Sequence, residues 1–325
     1  MKPFAFVFPG QGSQSVGMLD AWGLSVNANP IVAQTLQEAS DALHEDIAAL
    51  IKNGPKEALA LTTNTQPVML VSAVAAYRVW LAETGLTPSV VAGHSLGEYS
   101  ALVASGVLTL AQAAPLVRLR AQAMQDAVPV GQGAMAAILG LDAAKIIAVC
   151  ADITSAGGSI GSENLIHSVQ AANFNDPGQT VISGSKAAVD AACEQLKAAG
   201  AKRALILPVS APFHSQLMRP AAEKLQEALK SVTFAAPQIP VVNNIDVTVQ
   251  TDAAAIKDAL YRQAFGPVRW VECVAAIKAR GVTTIVECGP GKVLAGLVKR
   301  IDAELTGVAL FDPASLAEVK TLLQS

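Results

Sequence analysis

Apolar and polar positions fall in blocks along this chain, and the period of the blocks changes. The run FAFVF is apolar throughout and ends at Pro9 and Gly10, which predicts a short strand buried on both faces. Over residues 30–51 apolar side chains recur at helical spacing. The polar stretch ALTTNTQ interrupts that pattern, with Thr65 as the expected cap of a helix over 66–83 and Gly85 as its stop. SVVAG reads as a buried strand and LGEYSALVASG as a helix ended by Gly106. Thr109 with Gln112 has the form of a capping box opening a helix to about Ala127, and Pro115 inside it predicts a kink. Strands alternating with helices predict a parallel sheet covered by helices.

Near residues 129–133 the rhythm changes. AMAAIL predicts a strand, DAAKIIAVCADI a helix, LIHSVQAAN and QTVISG two strands, SKAAVDAACEQLKAAG a helix and KRALIL a strand. The order β-α-β-β-α-β is that of a ferredoxin-like split unit. After Ser210 the α/β pattern returns, with IPVVNNI and TTIVECG as strands. The expected fold class is therefore α/β, a hydrolase-like core with a mostly parallel sheet and an inserted ferredoxin-like subdomain. The expected division is a core of residues 1–130 and 209–325 around a small unit of 131–208. The Gly/Ser-rich stretch within 154–168 is expected to be its most flexible loop.

Composition narrows the class. The chain has 325 residues, enough to bury roughly three quarters of its unfolded surface. With 52% hydrophobic and 15% charged residues it reads as globular rather than disordered. A net charge of −3 lacks the basic excess of a nucleic-acid-binding protein. The cysteines, Cys150, Cys193, Cys273 and Cys288, are scattered and form no CxxC pair, so neither a metal site nor a disulfide framework is expected. No apolar run reaches the ~20 residues of a membrane span. A cytoplasmic monomer without a metal or cofactor is the expectation.

One motif carries chemistry. Ser95 stands between Gly93 and Gly97 where a strand hands over to a helix. This G-x-S-x-G arrangement is a nucleophile elbow, which exposes a serine hydroxyl at a helix N-terminus. A serine nucleophile needs a base. His94 adjoins Ser95, but neighbouring side chains on a sharp turn diverge. His44 lies in a polar helical stretch and His167 in the small unit. His214, in PVSAPFHSQLM after a strand, falls at the sheet edge where α/β sites lie and is the favoured base. The usual hydrolase order is Ser…Asp/Glu…His with the histidine near the end, but here no histidine follows residue 214 and over a hundred residues remain, which counts against a simple lipase or esterase. Arg120 lies on the apolar stripe Ala113, Val117, Met124 of its helix. It either pairs with a protein carboxylate or waits as a planar fork for a substrate anion. FPGQGSQ and CGPGKVL lack the residues of nucleotide loops, and Gln11 in the former is a candidate oxyanion or substrate donor.

Taken together, FPGQGSQ, GHSLGEYSAL, LRAQAMQ, GAMAAILG, ANFNDPGQTVISG, PVSAPFHS, RQAFGPVRW and VECGPGKVL, in that order, closely resemble the malonyl-CoA:acyl carrier protein transacylases of type II fatty-acid synthesis. The acyltransferase domains of polyketide synthases are wider relatives. The resemblance implies Ser95 as nucleophile, His214 as base, and the backbone carbonyl of Gln263 as the acceptor that orients the histidine. It implies Gln11 and the Leu96 N–H as the oxyanion hole, Arg120 as the grip on the malonyl carboxylate, and His94 and Phe213 as pocket residues. It implies malonyl-CoA and acyl carrier protein as partners, with neither nucleic acid nor membrane among them. Two other readings stand beside it: a serine hydrolase of acyl esters, and a non-catalytic protein that docks on a carrier.

Overall fold

The computed structural model describes residues 2–23, 29–157 and 167–324. Strand β1 (Phe4–Phe8) lies at the centre of a five-stranded sheet. Its neighbours are β2 (Val90–Gly93) and, on the other side, a late strand over residues 284–288; every pairing in this sheet is parallel. The period-two alternation of β1 divides its side chains between two layers. Phe4, Phe6 and Phe8 enter one core, and Ala5 and Val7 enter a second on the opposite face. Both faces are dry, which is why the strand sequence shows no polar alternation.

The first layer is helical. Helices α1 (Pro30–Leu43), α2 (Ile47–Asn53) and α3 (Lys56–Ala60) lead into the long α4 (Thr62–Thr84). Trp80 and Tyr77 of α4 meet the β1 phenylalanines edge to face, with Trp80 5.5 Å and Tyr77 5.8 Å from Phe6 between ring centroids. Helices α5 (Gly97–Ala104) and α6 (Leu110–Asp126) complete this face. The Thr109–Gln112 capping box is present, and α6 continues through Pro115.

A second sheet follows, built from β3 (Gly133–Leu139), α7 (Ala143–Ala156), β4 (Val169–Asp176), β5 (Gln179–Ser185), α8 (Lys186–Ala198) and β6 (Arg203–Ile206). Its order is β4-β5-β3-β6 and all its pairings are antiparallel, the arrangement of a ferredoxin-like unit. Ile146, Val189 and Leu196 pack one face, while Met135, Ala137 and Val181 belong to the core shared with the large sheet. The small sheet is thus pressed onto the larger one, and Phe174 N–H donates to the Val268 carbonyl at 2.9 Å across the join.

The chain then returns through α9 (Arg219–Ser231), β7 (Val241–Val242), α10 (Ala253–Phe265), α11 (Trp270–Lys278), β8 (Thr284–Cys288), α12 (Val293–Ile301), β9 (Thr306–Leu310) and α13 (Pro313–Gln324). Trp270, Val274 and Ile277 of α11 and Leu294, Leu297 and Val298 of α12 cover the second face of the large sheet. The strand order β7-β2-β1-β8-β9 places the C-terminal ends of β1 and β2 side by side at its middle.

Four details depart from the sequence reading. The helix expected over 30–51 is broken at His44, which takes a left-handed φ of 54°. Thr65 does not cap α4; the helix begins at Thr62, and the Thr65 hydroxyl donates to the Leu59 carbonyl at 2.5 Å and to that of Leu61 at 3.1 Å. A threonine can answer carbonyls inside a helix as well as N–H groups at its start. Residues 154–156 of the expected loop are helical, because α7 continues to Ala156; residues 158–166 lie outside the described residues. Strand β9 was not foreseen: TGVAL is short and half-exposed at the sheet edge.

Candidate active site

The elbow forms because two glycines permit it. A Cβ on Gly93 would lie 1.9 Å from the Gly97 carbonyl carbon, and one on Gly97 would lie 2.0 Å from the Phe8 carbonyl oxygen. Ser95 between them is held at φ 53°, a conformation that costs a non-glycine residue about 1–3 kcal/mol. The tertiary structure maintains it from both sides. Ser95 N–H donates to Asn244 Oδ1 at 2.8 Å, and its carbonyl accepts from Gln263 Nε2 at 3.0 Å. Asn244 Nδ2 also grips the Gly93 carbonyl at 2.8 Å.

His214 comes from the segment after β6 and is 3% exposed. Its Nε2 lies 2.6 Å from Ser95 Oγ. Its Nδ1 faces two carbonyls, Gln263 O at 2.9 Å and Gly266 O at 3.2 Å. A carbonyl only accepts, so Nδ1 carries the ring proton and Nε2 presents its lone pair to the serine hydroxyl. Gln263 lies in the last turn of α10, where helix carbonyls have no intrahelical partner. That negative helix end also favours an imidazolium, so the site orients and supports its histidine without a carboxylate.

Burial, and then the nearby Arg120 charge, push the His214 pKa down from 6.5 to about 3. The imidazole is therefore neutral and ready to accept a proton at physiological pH. In the free protein the His214 ring should remain neutral in an NMR titration from about pH 8 to about pH 5, where an unperturbed histidine would be mostly protonated. A ring titration centred near the ordinary 6.5 would contradict this environment.

Arg120 is 2% exposed. Among the described residues it makes no ion pair with a carboxylate. Its guanidinium donates instead to neutral oxygens: Gln66 Oε1 at 2.6 Å, Gln263 Oε1 at 3.2 Å and Ser95 Oγ at 3.3 Å. The Tyr99 ring lies 5.5 Å from Arg120 Cζ. The buried Glu98 carboxylate acts on the Arg120 charge electrostatically without an ion-pair contact, and a carboxylate arriving beside Ser95 would pair with the guanidinium directly.

The remaining sequence candidates divide. The Leu96 N–H lies at the start of α5, where helix N–H groups have no intrahelical acceptor, and the helix dipole there favours an anion. Gln11 follows β1, and its side-chain amide donates to Thr62 Oγ1 at 3.3 Å, part of a polar chain through Ser210 to Gln125. His94 turns toward the small sheet: its Nε2 lies 2.9 Å from Asn175 Oδ1 and its ring stands 5.4 Å from that of Trp270. That placement separates it from the base role. Phe213 is buried in the main core beside His214. Asn244, Gln66 and Glu98 were not among the sequence candidates. Asn244 had a usable signal, a polar pair directly after a buried strand. Among the described residues, no group of three or more His, Cys, Asp or Glu could hold a metal ion, and no helix is long and apolar enough to cross a membrane.

Comparison with known proteins gives the family. The family profile described as acyl transferase domain matches residues 5–309. The malonyl CoA-acyl carrier protein transacylase of Salmonella typhimurium is 53% identical over 321 residues, covering 99% of this chain and 100% of that one. The Bacillus subtilis protein of the same name is 46% identical, covering 97% and 96%. The solved acyl-carrier-protein S-malonyltransferase of Burkholderia pseudomallei superposes with a TM-score of 0.92 at 61% identity, over 98% of this chain and 99% of that one. A malonyl-transacylase solved in complex with a type II polyketide acyl-carrier protein superposes with a TM-score of 0.92 at 49% identity, over 98% and 99%. With an elbow serine, a helix-end histidine and a buried arginine meeting at one hydroxyl, and with relatives matched from end to end, the chain belongs to the acyl transferase domain family, among its malonyl CoA-acyl carrier protein transacylases.

Proposed function

We propose that this enzyme moves a malonyl group from malonyl-CoA to the phosphopantetheine thiol of an acyl carrier protein, by way of a malonyl ester on Ser95. The observation that carries the reading is the convergence on one oxygen. Ser95 Oγ has His214 Nε2 at 2.6 Å and Arg120 Nη2 at 3.3 Å.

The chemistry follows from those positions. The malonyl carboxylate pairs with Arg120, which sets the thioester carbonyl against Ser95. His214 Nε2 takes the hydroxyl proton as Oγ attacks, a step worth ~10²–10⁴-fold. The Leu96 N–H and Gln11 hold the oxyanion of the tetrahedral intermediate, each donor being worth ~10²–10³-fold. The carbon–sulfur bond breaks, and the CoA sulfur leaves with the proton from His214. The carrier thiol then gives its proton to His214, attacks the malonyl ester and returns Ser95 to its hydroxyl form. The groups used are the protein's own side chains and backbone, and the phosphopantetheine belongs to the carrier. Phe213 and His94 shape the acyl pocket in this reading. Residues 131–208 form a small subdomain inserted in a core of 1–130 and 209–325. The enzyme works in the cytoplasm as a monomer supplying fatty-acid elongation.

Intact-mass analysis after mixing with malonyl-CoA tests the whole sequence of events. The expected result is a malonyl-sized increment on Ser95 that disappears when carrier protein is added and reappears on the carrier. Loss of the increment to water at the same rate with and without carrier would make the protein a hydrolase instead.

A further inference from the structure

Glu98 is a buried carboxylate that the mechanism above does not use. It lies in the first turn of α5 and is 2% exposed. Burial raises its pKa to about 7, against the lowering effect of the hydrogen bonds it accepts. Taking a carboxylate out of water costs several kcal/mol, so its partners decide what it does there. Its Oε2 accepts from two donors on separate parts of the chain: the Asn244 backbone N–H at 2.9 Å and Gln263 Nε2 at 3.0 Å.

Both partners hold the catalytic centre. Asn244 fixes the Ser95 N–H and the Gly93 carbonyl, the two ends of the strained turn. Gln263 does more. Its side-chain nitrogen holds the Ser95 carbonyl, its side-chain oxygen accepts from Arg120, and its backbone carbonyl accepts from His214 Nδ1. Three partners agree on the orientation of the Gln263 amide: Nε2 faces the acceptor oxygens of Glu98 and of the Ser95 carbonyl, and Oε1 is left for the guanidinium. Glu98 thereby helps to fix which way the Gln263 amide points, and with it the aim of Arg120.

Resting on the transacylase reading, we propose that Glu98 is a positioning residue, which through Gln263 and Asn244 holds the Arg120 fork and the Ser95 turn in register and so sets the preference for a carboxylate-bearing acyl group. A residue that merely stabilised the fold would change the amount of active enzyme and leave its acyl preference alone. Loss of Glu98 should do otherwise. Malonyl transfer uses both the turn and the fork, whereas acetyl transfer uses only the turn.

The test compares Ser95 acylation by malonyl-CoA and acetyl-CoA in wild-type enzyme, Glu98→Ala and Glu98→Gln, with rates normalised to folded protein. In Glu98→Ala we expect malonyl acylation to fall about 10²-fold, the scale of an ångström-sized misplacement, and acetyl acylation by no more than about 10-fold. The malonyl-to-acetyl ratio thus narrows. Glu98→Gln presents a carbonyl oxygen to the same two donors and should restore most of the ratio. An unchanged ratio in Glu98→Ala, or a glutamine variant no better than the alanine one, overturns the proposal. Where Glu98→Ala does not fold, Glu98→Asp takes its place, because the shortened carboxylate cannot reach both donors; the same narrowing is expected and its absence is equally fatal. Failure of the wild-type enzyme to acquire malonyl on Ser95 would instead remove the transacylase reading itself.

Discussion

Ser95→Ala should abolish the malonyl-enzyme, and His214→Ala should slow its formation to almost the same extent. The two side chains act as one unit, since Oγ is a poor nucleophile until Nε2 at 2.6 Å removes its proton. In such units the loss of either member costs nearly as much as the loss of both, on the order of 10⁶-fold in a serine protease. The double variant should therefore be little worse than Ser95→Ala alone. Rapid-quench measurement of labelled malonate bound to protein checks this. Label persisting covalently on Ser95→Ala would reject the nucleophile, and acylation by His214→Ala within tenfold of wild type would reject the base. His94 supplies the internal control. It is committed to Asn175 and packed on Trp270, so its replacement should leave a readily measured part of the activity.

The legibility of this site in the sequence follows the length over which each interaction acts. The elbow is local: Gly93, Ser95 and Gly97 are needed together because one turn brings their backbones into contact, so the motif is visible in a single short string. The order of strands and helices is likewise readable, since each element obeys its own period. Strand β9 escaped because a half-exposed edge strand has neither the dense apolar run of β1 nor clean alternation. His214 sits 119 residues from Ser95, and elimination among the histidines, its place after a strand and the family resemblance reached it. The acceptor carbonyl of Gln263 carries no side-chain signature, so only the family resemblance pointed to it. Gln66 and Glu98 remained invisible for a related reason. Their importance lies in pairings such as Glu98 with Gln263, 165 residues apart, and a lone polar residue in an apolar helix does not announce its partner.

Arg120→Ala should change which acyl group the enzyme prefers as well as how fast it works. The wild-type guanidinium donates to the amide oxygens of Gln66 and Gln263 and to the Ser95 hydroxyl, and among the described residues no carboxylate forms an ion pair with it. A malonyl carboxylate completes an ion pair in a nearly dry site; an acetyl group leaves the cation unmatched. Removing one partner of such a pair costs a few kcal/mol, so malonyl transfer should fall by about 10²–10³-fold while acetyl transfer falls far less or rises. The pH dependence should move too, and its sign is fixed. The Arg120 charge is one of the forces that lower the His214 pKa, so its removal raises that pKa. Acylation requires the neutral ring, and a higher pKa means that ring is lost at higher pH. The acid limb of the variant should therefore lie at higher pH than that of the wild-type enzyme, although burial, the larger cause, still holds the histidine below its ordinary value. Rates measured with malonyl-CoA and acetyl-CoA across the acid range decide the matter. A variant with undiminished malonyl preference, or with an acid limb displaced to lower pH, would show that Arg120 neither grips the carboxylate nor bears on the histidine.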